Sequence, residues 1–473
     1  MKDHVFTNYQ EIQVQDGNSI LAGTSSTKAV TAILKDDLAD TCSIGETVHL
    51  TGIVVRHSTS TSYGNRATVT LALKASSLII ETPGGTNRDI RMSQYGRRFV
   101  DFWSEHSQQR FVGRDAIIRS VCPVLSGMFG VKLSILLLLL GGTSADSEEN
   151  DLDLKSLTRS EIHFLLVGDP GTGKSQIQRY INRLCPRAVI TGGTSTSSAG
   201  LTAAAVKENG QWSLEAGALV LANGGVCCID EIDGLKPSES SALHEAMEQQ
   251  TCSIAKAGMI STLRTKVSVF GTCNPRGNRR IDTRRPLADQ LDLPSPLLSR
   301  FDIILLLIDD MNPVSDELIV DHILNMRGHG TVTVEDTSTV LDLWDEEMLR
   351  NYISWCKISF KPVLTKLSER ALTLYYQKRR VAGTDHVTVR LLESLIRVSQ
   401  AHARLMAKNF VDIDDATTAI ALIDSSVGFA DGGILQIPYH LRIGEAGYFM
   451  NSDDPETKAH NLKQIVLTGL DMN

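Results

Sequence analysis

Eight consecutive residues, Gly168-Asp169-Pro170-Gly171-Thr172-Gly173-Lys174-Ser175, fit the pattern GxxxxGK[ST] at every fixed position. The chemistry this suits is phosphate binding. Glycines let the backbone curl until several N–H groups point at one phosphate, and the positive end of a following helix adds to that field. Lys174 would reach the β- and γ-phosphates, and the Ser175 hydroxyl would sit on Mg²⁺. Two adjacent carboxylates follow the apolar run Val226 to Ile229: Asp230 to hold Mg²⁺, usually through water, and Glu231 to polarise the attacking water. A further apolar run, from Val267 to Cys273, ends in Asn274-Pro275. Asn274 could orient that water, although an Asn before Pro is also a common turn residue. In Ser299-Arg300-Phe301-Asp302, Arg300 could stabilise transition-state charge on a neighbour's γ-phosphate. The plainer reading of Arg300 is a surface ion pair, and spacing alone leaves both open.

These groups need a scaffold that brings strand ends together. The phosphate loop follows Ile162 to Val167, which reads as a buried strand, and precedes helix-compatible residues from Gln176 to Leu184. The runs ending in Asp230-Glu231 and Asn274 read as two more strands, and Ile303 to Ile308 as a fourth. Strand, glycine loop and helix in that order imply an α/β nucleoside triphosphate-binding core.

The 473 residues allow about three domains. A net charge of −8 argues against general adhesion to nucleic acid but leaves room for a local basic stripe. The eight cysteines contain no CxxC pair, so zinc-site spacing is absent and no zinc is expected in this chain. Scattered cysteines suit reduced thiols in a cytosolic or nuclear protein. Met1 to Gln10 is polar and gives no secretory signal. Leu133 to Leu140 is very apolar but too short for a bilayer, which predicts a buried helix.

Along the chain, residues 1–90 look β-rich. Val48 to Val55 and Ala67 to Leu73 flank a polar loop, Arg56 to Arg66, and suit part of a small barrel. Residues 91–155 read as a helical connector and linker, 156–327 as the nucleotide-binding core, and 328–430 as a linker and helical lid. In the lid, Asp412 and Asp415 mark a helix start before Ala416 to Ile423. Residues 431–473 show no clear periodicity and stay unassigned. The densest basic run is Arg276, Arg279, Arg280, Arg284 and Arg285, which suits a solvated loop or an interaction site.

With its strands in this order the chain resembles the AAA+ ATPases, and more closely the minichromosome maintenance (MCM) helicases. The residues that carry the resemblance are Gly168 to Gly171, Leu214 to Leu221, Ile229-Asp230-Glu231, His244-Glu245-Ala246-Met247-Glu248-Gln249-Gln250, Ala255-Lys256-Ala257-Gly258 and Leu298 to Asp302. Gly173 stands before the phosphate-loop lysine, as in the eighth and ninth members of the family. The resemblance implies an AAA+ P-loop core, a parallel sheet with flanking helices, together with an α-helical lid and a partial N-terminal β-barrel of the OB type. It implies ATP and Mg²⁺ as ligands, with the nucleotide held by residues 168–176, Gln176 included. It further implies a ring of six subunits, either a homo-hexamer or a mixed hexamer with the eighth family member. One subunit would supply Lys174, Ser175, Asp230, Glu231 and Asn274, and the next would supply Arg300 and, from the lid, Arg390. Arg390 could otherwise be an exposed helix charge. Two inserted hairpins are implied, Ala204 to Ser213 with Lys207 and Trp212, and Thr251 to Leu263 with Lys256. Their residues would contact a DNA backbone in the ring channel, where a Lys binds phosphates without reading sequence; a solvated loop is the bland alternative. The family's N-terminal helical subdomain and four-Cys zinc module are expected to be missing from this chain. The function implied is ATP-driven DNA translocation by a nuclear helicase subunit acting in homologous recombination repair. The alternatives are an ATP-binding structural subunit with little turnover of its own, or another AAA+ remodelling ATPase.

Overall fold

The computed structural model describes residues 7–15, 29–59 except 43, 68–80, 87–143, and 159–308 apart from 195–196, 209–210, 257–258, 279–280 and 282–286. It also describes single positions between 313 and 324, residues 343–427 apart from 383–386, positions 435 and 437, and 454–472. Four strands come first: Tyr9–Val14 (β1), Val30–Lys35 (β2), Val48–Thr59 (β3) and Thr68–Ile80 (β4). They form one sheet of order β1-β2-β4-β3, with β3 and β4 as a long antiparallel ribbon and β2 parallel to β4. Sequence patterning exposes β3 and β4 but not β1, whose Tyr-Gln-Glu-Ile-Gln-Val is a largely polar edge strand that only pairing with β2 defines. Among the described residues this is a four-stranded sheet, and they do not close a barrel.

Helices Asn87–Glu105 (α1), Arg110–Ser120 (α2) and Phe129–Leu140 (α3) follow. Every residue of α3 is buried, which is why its leucines show no polar face. Among the described residues no helix is long and apolar enough to cross a membrane.

The core sheet holds five parallel strands: Phe164–Gly168 (β5), Ala188–Gly192 (β6), Val226–Asp230 (β9), Ser268–Cys273 (β12) and Ile303–Leu307 (β13). Between β6 and β9 comes a hairpin, Ala203–Glu208 (β7) with Gln211–Ala216 (β8). A second, Thr251–Lys256 (β10) with Met259–Arg264 (β11), precedes β12. The sheet order is β13-β5-β12-β9-β6. Both faces are covered, so the strands read as continuous apolar runs rather than alternations. Phe164, Leu166, Phe270 and Ile303 enter one hydrophobic cluster with α3, whereas Leu165, Val167, Val269 and Leu306 enter another. Sequence patterning misses β6, an edge strand that is partly exposed and only five residues long. Helix Lys174–Leu184 (α4) follows the phosphate loop, and Pro237–Gln249 (α5) follows β9.

The lid comprises Glu346–Ser359 (α6), Lys366–Ala382 (α7), Val389–Leu405 (α8) and Ile413–Val427 (α9). The Asp415 carboxylate accepts the Asp412 backbone N–H at 2.9 Å, a helix-start contact that the two aspartates foreshadow. Arg404 of α8 donates to the carbonyls of Leu140, Gly141 and Gly142, placing a cation on the C-terminal end of α3. Within the tail, Pro455–Gly469 forms a helix (α10) that packs on α9 and α2. Its buried stripe is sparse, chiefly Leu462 and Val466, so it gains order from surfaces the rest of the chain provides.

Candidate active site

The carboxyl ends of β5, β9 and β12 lie side by side, the place where open α/β sheets hold ligands. Residues 169–173 turn from β5 into α4. Gly171 has φ +87°, and nothing lies within 4 Å of where its Cβ would stand. A side chain there would be strained and would fill the open space the loop encloses. Thr172 Oγ1 pins the turn by donating to the Asp169 carbonyl at 2.8 Å.

Lys174 is 9 % exposed, and its ammonium donates to the carbonyls of Gly168 at 2.6 Å and Asp169 at 2.7 Å. Burial lowers its pKa from the ordinary lysine value, while the charges of Asp169 and Asp230 oppose that fall. Ser175 and Gln176 stand exposed in the first turn of α4.

Asp230 ends β9 and is oriented by two side chains. Thr272 Oγ1 donates to its Oδ1 at 2.6 Å, and Gln178 Nε2 reaches the same oxygen at 3.3 Å. Thr272 Oγ1 also accepts from Gln178 Nε2 at 3.2 Å and from the Glu231 backbone N–H at 3.3 Å. One donor and two lone pairs are the full capacity of a hydroxyl, and here all are used. Glu231 itself is left-handed, with φ +51°. That conformation costs about 1–3 kcal/mol for a residue with a side chain, and such strain clusters at functional sites. Gly193 makes it possible: its N–H donates to the Asp230 carbonyl at 2.7 Å, and a Cβ on it would sit 2.1 Å from the Glu231 carbonyl oxygen.

The resulting cleft, about 340 Å³, is lined by residues of the loop and α4 (Pro170, Gly171, Gly173, Lys174, Ser175, Gln176), by Asp230 and Glu231, and by Thr272, Cys273 and Asn274. Gly168 and Asp169 serve it from below through their carbonyls. Burial, reinforced by the charge of Asp233, pushes the Cys273 thiol far above the usual range, which disfavours the thiolate form.

Arg300 and Arg390 are not among the lining residues. They are brought to each other, because each donates through Nη2 to the carboxylate of Glu248 on α5. Lys207 pairs with Trp212 across the β7–β8 hairpin, and Lys256 with Met259 at the last pair of β10–β11. The tips at 209–210 and 257–258, and the side chains of Lys207, Trp212 and Lys256, lie outside the described residues. So do Arg66, Arg279, Arg280, Arg284 and Arg285. Arg276 is exposed and pairs with Asp292 at 2.7 Å.

Sequence reasoning missed Thr272, Gln178 and Glu248. The first two carried a usable signal. Thr272 is two residues before Asn274 on a strand and so shares its face, while Gln178 is one helical turn beyond Lys174. Glu248 carried none, since its partners come from two distant segments.

Comparison with known proteins agrees with this architecture. A family model described as the MCM P-loop domain matches residues 105–327, and one described as the MCM AAA-lid domain matches residues 347–427. The chain is 42% identical over 426 residues to an Arabidopsis thaliana protein named "Probable DNA helicase MCM9", covering 89% of this chain and 64% of that one. It is 34% identical over 425 residues to the "Minichromosome maintenance protein MCM" of Saccharolobus solfataricus, covering 88% of this chain and 59% of the relative. To the Xenopus laevis "DNA replication licensing factor mcm2" it is 31% identical over 492 residues, covering 98% and 53%. The chain thus spans between about half and two thirds of the length of these relatives. With the core and lid each matched by its own domain model, and with identity running through both, this chain belongs to the MCM family and is similar to its MCM9-type members.

Proposed function

We propose that the protein is an ATP-hydrolysing subunit of an MCM-type DNA helicase, with each catalytic site completed by a neighbouring subunit of a six-membered ring. One observation carries this reading. The phosphate loop, Asp230, Glu231 and Asn274 converge on one cleft, while the two arginines suited to γ-phosphate charge stand together elsewhere on the same chain. A split of that kind is what junction catalysis requires.

In the proposed reaction the N–H groups of residues 171–174 and the Lys174 ammonium hold the β- and γ-phosphates, the lysine exchanging its two loop carbonyls for phosphate oxygens. Asp230 and Ser175 offer hard oxygen donors that suit Mg²⁺, which would neutralise phosphate charge. Thr272 and Gln178 both bond Asp230 Oδ1 and so hold in place the carboxylate that would help bind the ion. Glu231, aimed by its strained backbone, polarises water toward the γ-phosphorus, and Asn274 orients it. Arg300 and Arg390 of the adjacent subunit stabilise the charge spread over the transferring phosphoryl group. The Lys207/Trp212 and Lys256 hairpins would track a DNA backbone. A relative named a probable DNA helicase supports DNA as the substrate. We further propose a nuclear site of action and work in recombination repair, as a homo-hexamer or a mixed hexamer with the eighth family member.

The test is ATP turnover with and without single-stranded DNA for the wild type, Lys174→Ala and Arg300→Ala. Each variant alone should be nearly inactive, and mixing the two should restore turnover, because half of the mixed junctions then join an intact cleft to an intact arginine. No recovery on mixing would refute shared sites. Turnover indifferent to DNA would refute the helicase reading.

A further inference from the structure

Both oxygens of the Glu248 carboxylate are engaged. Oε2 accepts from Arg300 Nη2, and Oε1 accepts from Arg390 Nη2 at 2.5 Å. Arg300 belongs to the core segment just before β13, Arg390 to the first turn of lid helix α8, and Glu248 to the last turn of α5. Secondary contacts fix the directions of the two forks. Arg300 Nη1 donates to the Pro296 carbonyl at 2.6 Å, and Arg390 Nη1 reaches Ser299 Oγ at 3.4 Å. The carboxylate is 45% exposed, Arg390 38% and Arg300 15%, so the cluster sits at the surface, with Arg300 the more enclosed.

Two guanidiniums from separate domains would repel each other and sample many rotamers without a shared anion. A carboxylate between them removes both problems, because each of its two oxygens takes one guanidinium in a charge-assisted hydrogen bond. Burial by itself would raise the Glu248 carboxyl pKa. The hydrogen bonds from Arg300 and Arg390 overcome this and hold it below the ordinary glutamate value, so the anion persists at neutral pH. His244, one turn earlier on α5, is kept neutral by burial and by the adjacent Arg300, and so adds no third positive charge.

We infer that Glu248 is a positioning residue that gathers Arg300 and Arg390 into one two-pronged unit, presented to the phosphates held by the next subunit. This rests on the junction reading proposed above. Glu248 touches no reacting atom; it sets where the two cations stand before the neighbour's nucleotide arrives. Displacing a catalytic group by about 1 Å can cost on the order of a hundredfold in rate, which sets the scale of the effect.

The test uses the full chain as it assembles, with ATP turnover followed in single-stranded DNA. Glu248→Ala should lower kcat about ten- to a hundredfold with little change in KM for ATP, because its own cleft is untouched. Glu248→Asp, which keeps the charge, should recover more activity than the near-isosteric Glu248→Gln, which also serves as the readout if the alanine variant fails to fold. Mixing decides the side on which Glu248 acts. Glu248→Ala should regain turnover with Lys174→Ala, whose arginine unit is intact, and should stay low with Arg300→Ala, whose unit is also broken. Unchanged or raised turnover in Glu248→Ala, or recovery with Arg300→Ala, overturns the inference while leaving shared sites standing. If Lys174→Ala and Arg300→Ala fail to restore each other, the junction reading falls and this inference goes with it.

Discussion

Asp302 and Arg397 form a buried ion pair of 2.7 Å, with side chains 0% and 5% exposed, that fastens the lid to the core two residues beyond Arg300. Arg159 and the His163 backbone N–H complete the Asp302 shell from the core, and Ser394 completes it from α8. Burial alone would raise the Asp302 pKa, but Arg159 and Arg397 hold it well below the usual carboxylate range. Arg300 and Arg390 therefore ride on parts of the chain that are joined from within.

Asp302→Asn should accordingly be severe. It leaves two arginines without their counter-charge in a dry site, and breaking one partner of a buried ion pair costs about 3–5 kcal/mol. Urea unfolding would measure this. A loss under about 1 kcal/mol would place the pair among weak surface contacts instead.

Stability should also fall as the medium turns mildly acidic. His163 is fully buried, and burial, with Arg159 adding, pushes its pKa from 6.5 down to about 3. Its ring accepts from the Val269 N–H at 3.1 Å and bonds the Met247 carbonyl at 3.3 Å, which suits the neutral form with the proton on Nε2. Between pH 6.5 and 3 the unfolded chain binds a proton there that the folded chain refuses, so stability is full above 6.5 and declines below it. The part lost by pH 5 should be about 2 kcal/mol. Asp302 adds a second loss in the same direction, beginning only below its unfolded value of 3.8. Denaturant midpoints at pH 7 and 5 should converge in His163→Gln relative to the wild type; an unaltered pH slope would remove His163 as the cause.

Thr272→Val keeps the shape of the side chain and deletes the hydroxyl that orients Asp230 and Glu231. Turnover should drop about ten- to a hundredfold with the protein still folded, whereas Thr272→Ser should retain most of it. Equal activity in the valine variant would show that the carboxylates need no such guide.

The tail helix α10 should behave as part of the core. Leu462 is 4% exposed on a helix that packs against α9 and α2, so Leu462→Ala is expected to cost about 2–5 kcal/mol. Thermal unfolding at an unchanged midpoint would make α10 a passive appendage.

Local pattern was enough to mark the phosphate loop, the strand ends carrying Asp230 and Asn274, and the buried helix over Leu133 to Leu140. In each case the signal is contiguous in sequence: a glycine spacing, an apolar run and the polar residue that ends it. Sequence composition could not reveal β6 or α10, because an edge strand and a sparsely apolar helix are defined by what they pack against. The distribution of the site residues was beyond it too. Which groups share the cleft follows from the order of the core strands, which sets β5, β12 and β9 side by side; that Arg300 and Arg390 meet on Glu248 instead follows from how the lid docks on the core. Hydrogen bonds between segments far apart in the chain leave no periodicity behind. Only the folded arrangement, in which Asp302 and Arg397 close the gap between lid and core, decides where those cations stand.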